Sequence, residues 1–128
     1  MNTEELKERL KSFSKRIITM VDAMPHSISS IAIAKQIVRS GTSPAANYRA
    51  ACLAKSEKDF LNKLKMVEEE LDETIYWLEI IGETEILPQN RIACLHEEAT
   101  ELFRIIASSI VTTKNRMYFN TSPDANSK

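Results

Sequence analysis

Glycine and proline are scarce in this chain: two glycines and four prolines stand in 128 residues. A sheet-rich fold turns every few residues and needs more of both, so their scarcity points to long helices with few connections. The abundant Ala, Leu, Ile, Glu and Lys favour the same state. Long apolar runs are missing as well. No stretch approaches the roughly 20 apolar residues of a membrane span, because charge interrupts every apolar stripe. Residues 1–11 hold no apolar core followed by small residues, so they do not read as a secretion signal, and the expectation is a cytoplasmic protein with no membrane partner. Cys52 and Cys94 lie far apart without Cys-x-x-Cys spacing or clustered His, which suggests neither a disulfide framework nor a zinc site.

Catalytic constellations are absent in the same way. A di-iron carboxylate bundle needs inward Glu residues and Glu-x-x-His pairs, but Ala23 stands three residues before His26 and Ala93 three before His96. Gly41 and Gly82 are too few for a phosphate-cradling loop. No Ser or Cys occupies a strand-turn-helix elbow with a His partner, and Cys52 falls among apolar positions, where a small buried hydrophobe is its expected role. The chain is therefore expected to be no enzyme, with no metal, no cofactor and no small-molecule substrate.

What is present is helical periodicity. Leu6, Leu10, Phe13, Ile17, Met20 or Val21, and Met24 recur at spacings of three and four, predicting a helix over 3–24 with Thr3 as its cap and Pro25 as its stop. A second helix is predicted over 28–54, capped within Ser27 to Ser30. Its apolar positions run through Ile31, Ala34, Ile37, Val38, Gly41, Ala45, Tyr48 and Cys52. Pro44 predicts a kink near Gly41 to Pro44, or else two short helices. Ser56 opens a third helix over 57–82, with Phe60, Leu64, Val67, Leu71, Ile75, Leu78 and Ile81 on one side and Gly82 as its stop. A fourth, over 88–116, begins near Pro88 and carries Ile92, Leu95, Ala99, Leu102, Ile106 and Ile110, with Lys114 and Arg116 at its end. Residues 117–128, small and polar from Asn120 on, read as a disordered tail. Four such helices in one domain predict an all-α fold, an antiparallel up-down-up-down four-helix bundle.

Charge is unevenly spread. Residues 1–65 carry 12 Lys/Arg against 6 Asp/Glu, and residues 66–128 carry 5 against 12. In an antiparallel bundle these halves can pair across helices. The sharper alternative is a basic surface for RNA or DNA. Lys35, Arg39, Arg49, Lys55, Lys58 and Lys63 are its candidates, and binding through them would be salt-dependent and largely indifferent to sequence. The acidic run Glu68, Glu69, Glu70, Asp72 and Glu73 reads as a solvated or intersubunit face. Met66, Trp77 and Ile80 project well away from the main stripe of the third helix, and this second apolar strip is the candidate oligomer interface.

The stretch Ser40-Gly41-Thr42-Ser43-Pro44-Ala45-Ala46-Asn47-Tyr48-Arg49-Ala50-Ala51, followed by Ser56-Glu57-Lys58-Asp59-Phe60 and by Glu73-Thr74-Ile75-Tyr76-Trp77-Leu78, resembles the four-helix-bundle family encoded in intervening sequences of bacterial 23S ribosomal RNA genes. The resemblance spans roughly residues 5–112. It implies a homopentameric barrel of four-helix bundles with no established enzymatic activity, so that the partner is the chain itself. The chain also resembles accessory proteins of diversity-generating retroelements, which implies a nucleic-acid-binding role beside a reverse transcriptase through a basic surface. It departs from the family pattern at Ala50, where an acidic residue is usual, and at Glu69, where a lysine often stands.

Overall fold

The computed structural model describes residues 1–121, which form four helices: α1 (Thr3–Asp22), α2 (Ile28–Ala51), α3 (Glu57–Glu83) and α4 (Gln89–Thr121). The expected tail residues 122–128 lie outside the described residues. Each helix packs on its neighbours in the cyclic order α1, α2, α3, α4 and back to α1, with no close backbone approach across either diagonal among the described residues. Glu79 pairs with His96 while Glu57 pairs with Arg116, so α3 and α4 run antiparallel. The fold is all-α, with four helices around one core.

Local chemistry sets the helix ends. Asn2, not Thr3, caps α1: the Glu5 amide donates to Asn2 Oδ1 at 2.8 Å, satisfying one of the orphan donors of a helix start. Ser27 caps α2 and Ser56 caps α3 through the same contact to the residue three positions on. α1 and α2 stop at Asp22 and Ala51 rather than at 24 and 54. Their last turns tighten, with Met24 N donating to the Val21 carbonyl and Ala54 N to the Ala51 carbonyl. α2 runs through Pro44 as one helix. The hydroxyls of Thr42 and Ser43 donate to the carbonyls of Val38 and Arg39, so the turn before the proline is laced by side chains as well as by backbone.

Gly82 does not end α3. The helix passes through it, and Thr84 is its cap. The left-handed seat falls to Glu85 at φ 59°. Ile86 N donates to the Ile81 carbonyl and Glu85 N to the Gly82 carbonyl, which is the double closure of a Schellman turn. A Cβ at Gly82 would meet Gln89 Oε1 at 2.7 Å, the tip of a flexible, exposed side chain that can swing aside, so space does not demand a glycine there. α4 continues past Arg116 to Thr121, so it reaches beyond the expected boundary, with Met117 packed against the core.

All six predicted positions on α4, from Ile92 to Ile110, are buried. On α3 the edges of the stripe shift. Leu61 and Thr74 are buried, whereas Phe60 and Ile75 are half-buried. On α2, Ile31 is exposed, and Ser40 and Gly41 enter the core. Gly41 lets α1 approach closely, since a Cβ there would lie 2.8 Å from Ile17 Cγ2.

Candidate functional site

The second strip of α3 is built differently from its sequence pattern. Met66 is 48% exposed, while Trp77 and Ile80 are half-buried. Glu70 and Glu73 lie on the same side of the helix between Met66 and Trp77, and both are held by Arg39 of α2, at 3.1 Å and 2.7 Å. Trp77 Nε1 donates to Glu73 at 3.2 Å, so the indole closes this charged cluster instead of extending a continuous apolar surface. Hydrogen bonds to Glu70 and then Glu73 raise the Arg39 guanidinium above its usual pKa. Tyr76, not singled out from sequence, is 53% exposed and stacks edge-on against Trp77 at 4.9 Å between ring centroids. Its place on the outward line Glu69, Asp72, Tyr76, Glu79, Glu83 is the signal that could have found it.

The basic candidates do not form one patch. Arg39 is clamped on the α2–α3 side, and Lys63 pairs with Asp59 at 2.8 Å. Arg49 lines a groove between α1 and α2 instead, and Lys55 lines a cleft at the end of the bundle. Lys35 and Lys58 are exposed. Thus the local excess of positive charge is shared among several faces, and part of it is neutralised by α3.

The end cleft is lined by Thr3, Tyr48, Cys52, Phe60 and Arg116, where the start of α1, the end of α2 and the start of α3 converge beside α4. Arg116 is held there by Glu57. Burial, and then the neighbouring Cys52, pushes the Tyr48 phenol above its ordinary pKa, which keeps it neutral and poorly suited to act as a base. Among the described residues no group of three or more His, Cys, Asp or Glu is placed to hold a metal ion. No described helix is long and apolar enough to cross a membrane.

The family model described as 23S rRNA-intervening sequence protein matches residues 4–108. The chain belongs to that family. A solved structure from Bacteroides thetaiotaomicron, described as a protein with unknown function from the S23 ribosomal protein family, is 34% identical with a TM-score of 0.77. The similarity covers 82% of this chain and 97% of that one. No curated protein matches the chain. In this 23S rRNA-intervening sequence protein the match takes in Tyr48, Phe60, Tyr76 and Trp77, while Arg116 and the last turns of α4 lie beyond it.

Proposed function

We propose that this 23S rRNA-intervening sequence protein is a non-enzymatic scaffold that works by self-assembly in the cytoplasm. The observation that carries the reading is the outer side of α3, where Met66 and Tyr76 stand about half exposed beside Trp77 and Ile80. Large exposed side chains on one side of a helix, here interleaved with the Arg39–Glu70–Glu73 cluster, are of the kind that subunit contacts use. The pentameric barrel implied by the family resemblance sets the expected size. Multi-angle light scattering at micromolar concentration should give a mass near five times the 14.5 kDa of one chain. A monomer would overturn the proposal.

A second reading, binding of RNA or DNA, draws on Lys35, Arg49, Lys55 and Lys58, which are exposed and make no ion pair among the described residues. Phosphate contacts of this kind weaken steeply with salt. Fluorescence anisotropy with labelled duplex and single-stranded RNA, titrated with salt, tests it, and absence of binding at low salt removes it.

A further inference from the structure

We infer that a second copy of this chain seats the outer ridge of its α3 in the groove between α1 and α2, so that two different surfaces meet head to tail. The inference rests on the self-assembly reading and adds to it the pair of faces involved.

The first observation is a segregation of charge by helix. Between Asp22 and Glu57 the sequence holds no Asp or Glu, so α2 carries cations alone. Between Lys65 and Arg91 it holds no Lys or Arg, so the second half of α3 carries carboxylates alone. Taken together, α1 and α2 have eight Lys/Arg against four Asp/Glu, and α3 has three against nine. Arg39 with Glu70 and Glu73 uses up part of this difference inside the bundle. Among the described residues, Glu69, Asp72 and Glu83 remain exposed without an ion pair, as do Lys11 and Arg49.

Shape follows charge. The α1–α2 groove, of about 580 Å³, is lined by the small residues Thr42, Ala45 and Ala46 and by Ile18, which is 45% exposed, with Lys11 and Arg49 among the cations at its sides. Glu4 and Glu8 also border it from α1, and Glu4 is held by Lys7. On α3 the spacing of Glu69, Asp72, Tyr76, Glu79 and Glu83 makes a convex acidic ridge. Tyr76 is its protruding aromatic, backed by Trp77. An aromatic anchor entering a lining of small residues, with carboxylates meeting cations around it, is the usual anatomy of a specific contact.

Height in the bundle also agrees. Ser14 of α1 donates to the Gly41 carbonyl of α2 at 3.3 Å, and the adjacent Ser40 meets Thr74 of α3 at 2.9 Å. Ser14 and Gly41 stand toward the Ile18 and Thr42 end of the groove, so its middle, near Lys11 and Ala45, falls about one turn from Thr74 toward the start of α3, level with Glu69 and Asp72. Two bundles side by side with parallel axes can join groove to ridge without sliding along their length. Ridge against ridge would set carboxylates against carboxylates, so a two-fold contact through either face is disfavoured. Repetition of a head-to-tail contact closes into a ring when its rotation permits.

Two charge reversals test the pairing by sedimentation velocity: Lys11→Glu with Arg49→Glu in the groove, and Glu69→Lys with Asp72→Lys on the ridge. Each variant alone should raise the concentration needed for assembly by more than about tenfold, the loss of roughly 1.4 kcal/mol or more. An equimolar mixture should recover complexes in which the two variants alternate, as pairs, open chains or even-numbered rings, because an odd ring cannot alternate throughout, and added salt should weaken them. Wild-type assembly that both reversals leave intact, or a mixture that stays dissociated, would overturn this pairing while leaving self-assembly standing. A monomeric wild type would overturn both. Should circular dichroism show that a reversal unfolds the helices, the neutral changes Lys11→Gln and Asp72→Asn carry the same test, each expected to weaken assembly severalfold at low salt. No weakening by the neutral pair would equally overturn the pairing.

Discussion

Between α2 and α3, a buried Ser40–Thr74 hydroxyl pair lies behind the clamp of Glu70 and Glu73 on Arg39. Between α4 and α1, a single part-buried Arg9–Glu98 pair, with two hydrogen bonds of 2.8 and 2.7 Å, bridges a seam into which three clefts open. Both seams close the same core, yet the first has polar contacts at two depths, and the second, among the described residues, has apolar packing plus one ion pair. Stability in such a bundle is not uniform, and the element with the fewest lateral restraints opens first. α1, the shortest helix, is that element, although it supplies one wall of the proposed docking groove.

The largest expected effect comes from α1 itself. Phe13 is buried, and Phe13→Ala should cost about 3–5 kcal/mol. Hydrogen exchange should rise more in α1 than in α3. Equal acceleration in both helices would erase the contrast between the seams. Next in size, Thr74→Val leaves Ser40 Oγ buried without its partner on α3, at a cost of about 1–3 kcal/mol, whereas the double change Ser40→Ala with Thr74→Val should cost less than the single one. Urea unfolding of the four proteins in that cycle gives the coupling directly.

Gly41→Ala sharpens the view of how α1 is held on its other side. The added methyl meets the branched Ile17 side chain, costing about 1–3 kcal/mol of overpacking, offset by about 1 kcal/mol of helix propensity. A net loss of about 1 kcal/mol in thermal or urea unfolding is expected, and a gain would mean that α1 shifts freely. The smallest effect belongs to Glu98→Gln. Its pair with Arg9 is partly open to solvent, with 29% and 19% of the two side chains exposed, so a loss under about 1 kcal/mol that fades in high salt is expected. A larger, salt-insensitive loss would place more weight on this seam than its geometry gives it.

Much of this architecture could be read from apolar spacing, and α4 is the clearest case because its stripe of six residues faces the core without a break. Spacing failed where a polar residue takes a core position. Thr74 is buried because its hydroxyl finds Glu70 and Ser40, and a hydrophobic pattern does not register that partner. The strip of Met66, Trp77 and Ile80 was legible as apolar positions on α3, but not the charged cluster that interrupts it. Glu70 and Glu73 lie 31 and 34 residues from Arg39, and only packing of α2 on α3 brings them together. The basic segment shows the same limit: Arg39 is clamped by α3 while Arg49 lines the α1–α2 groove, a separation that closeness in sequence does not register.

Glu85 occupies a left-handed backbone seat that disfavours a side chain by roughly 1–2 kcal/mol. Glu85→Gly should therefore raise the melting temperature by a few degrees. The turn lies away from the groove and follows directly on Glu83 at the end of the ridge, so that gain would leave the groove and the Glu69 to Tyr76 part of the ridge unaltered. A chain carrying it would have mutational headroom, tolerating damaging changes elsewhere that the wild type would not survive.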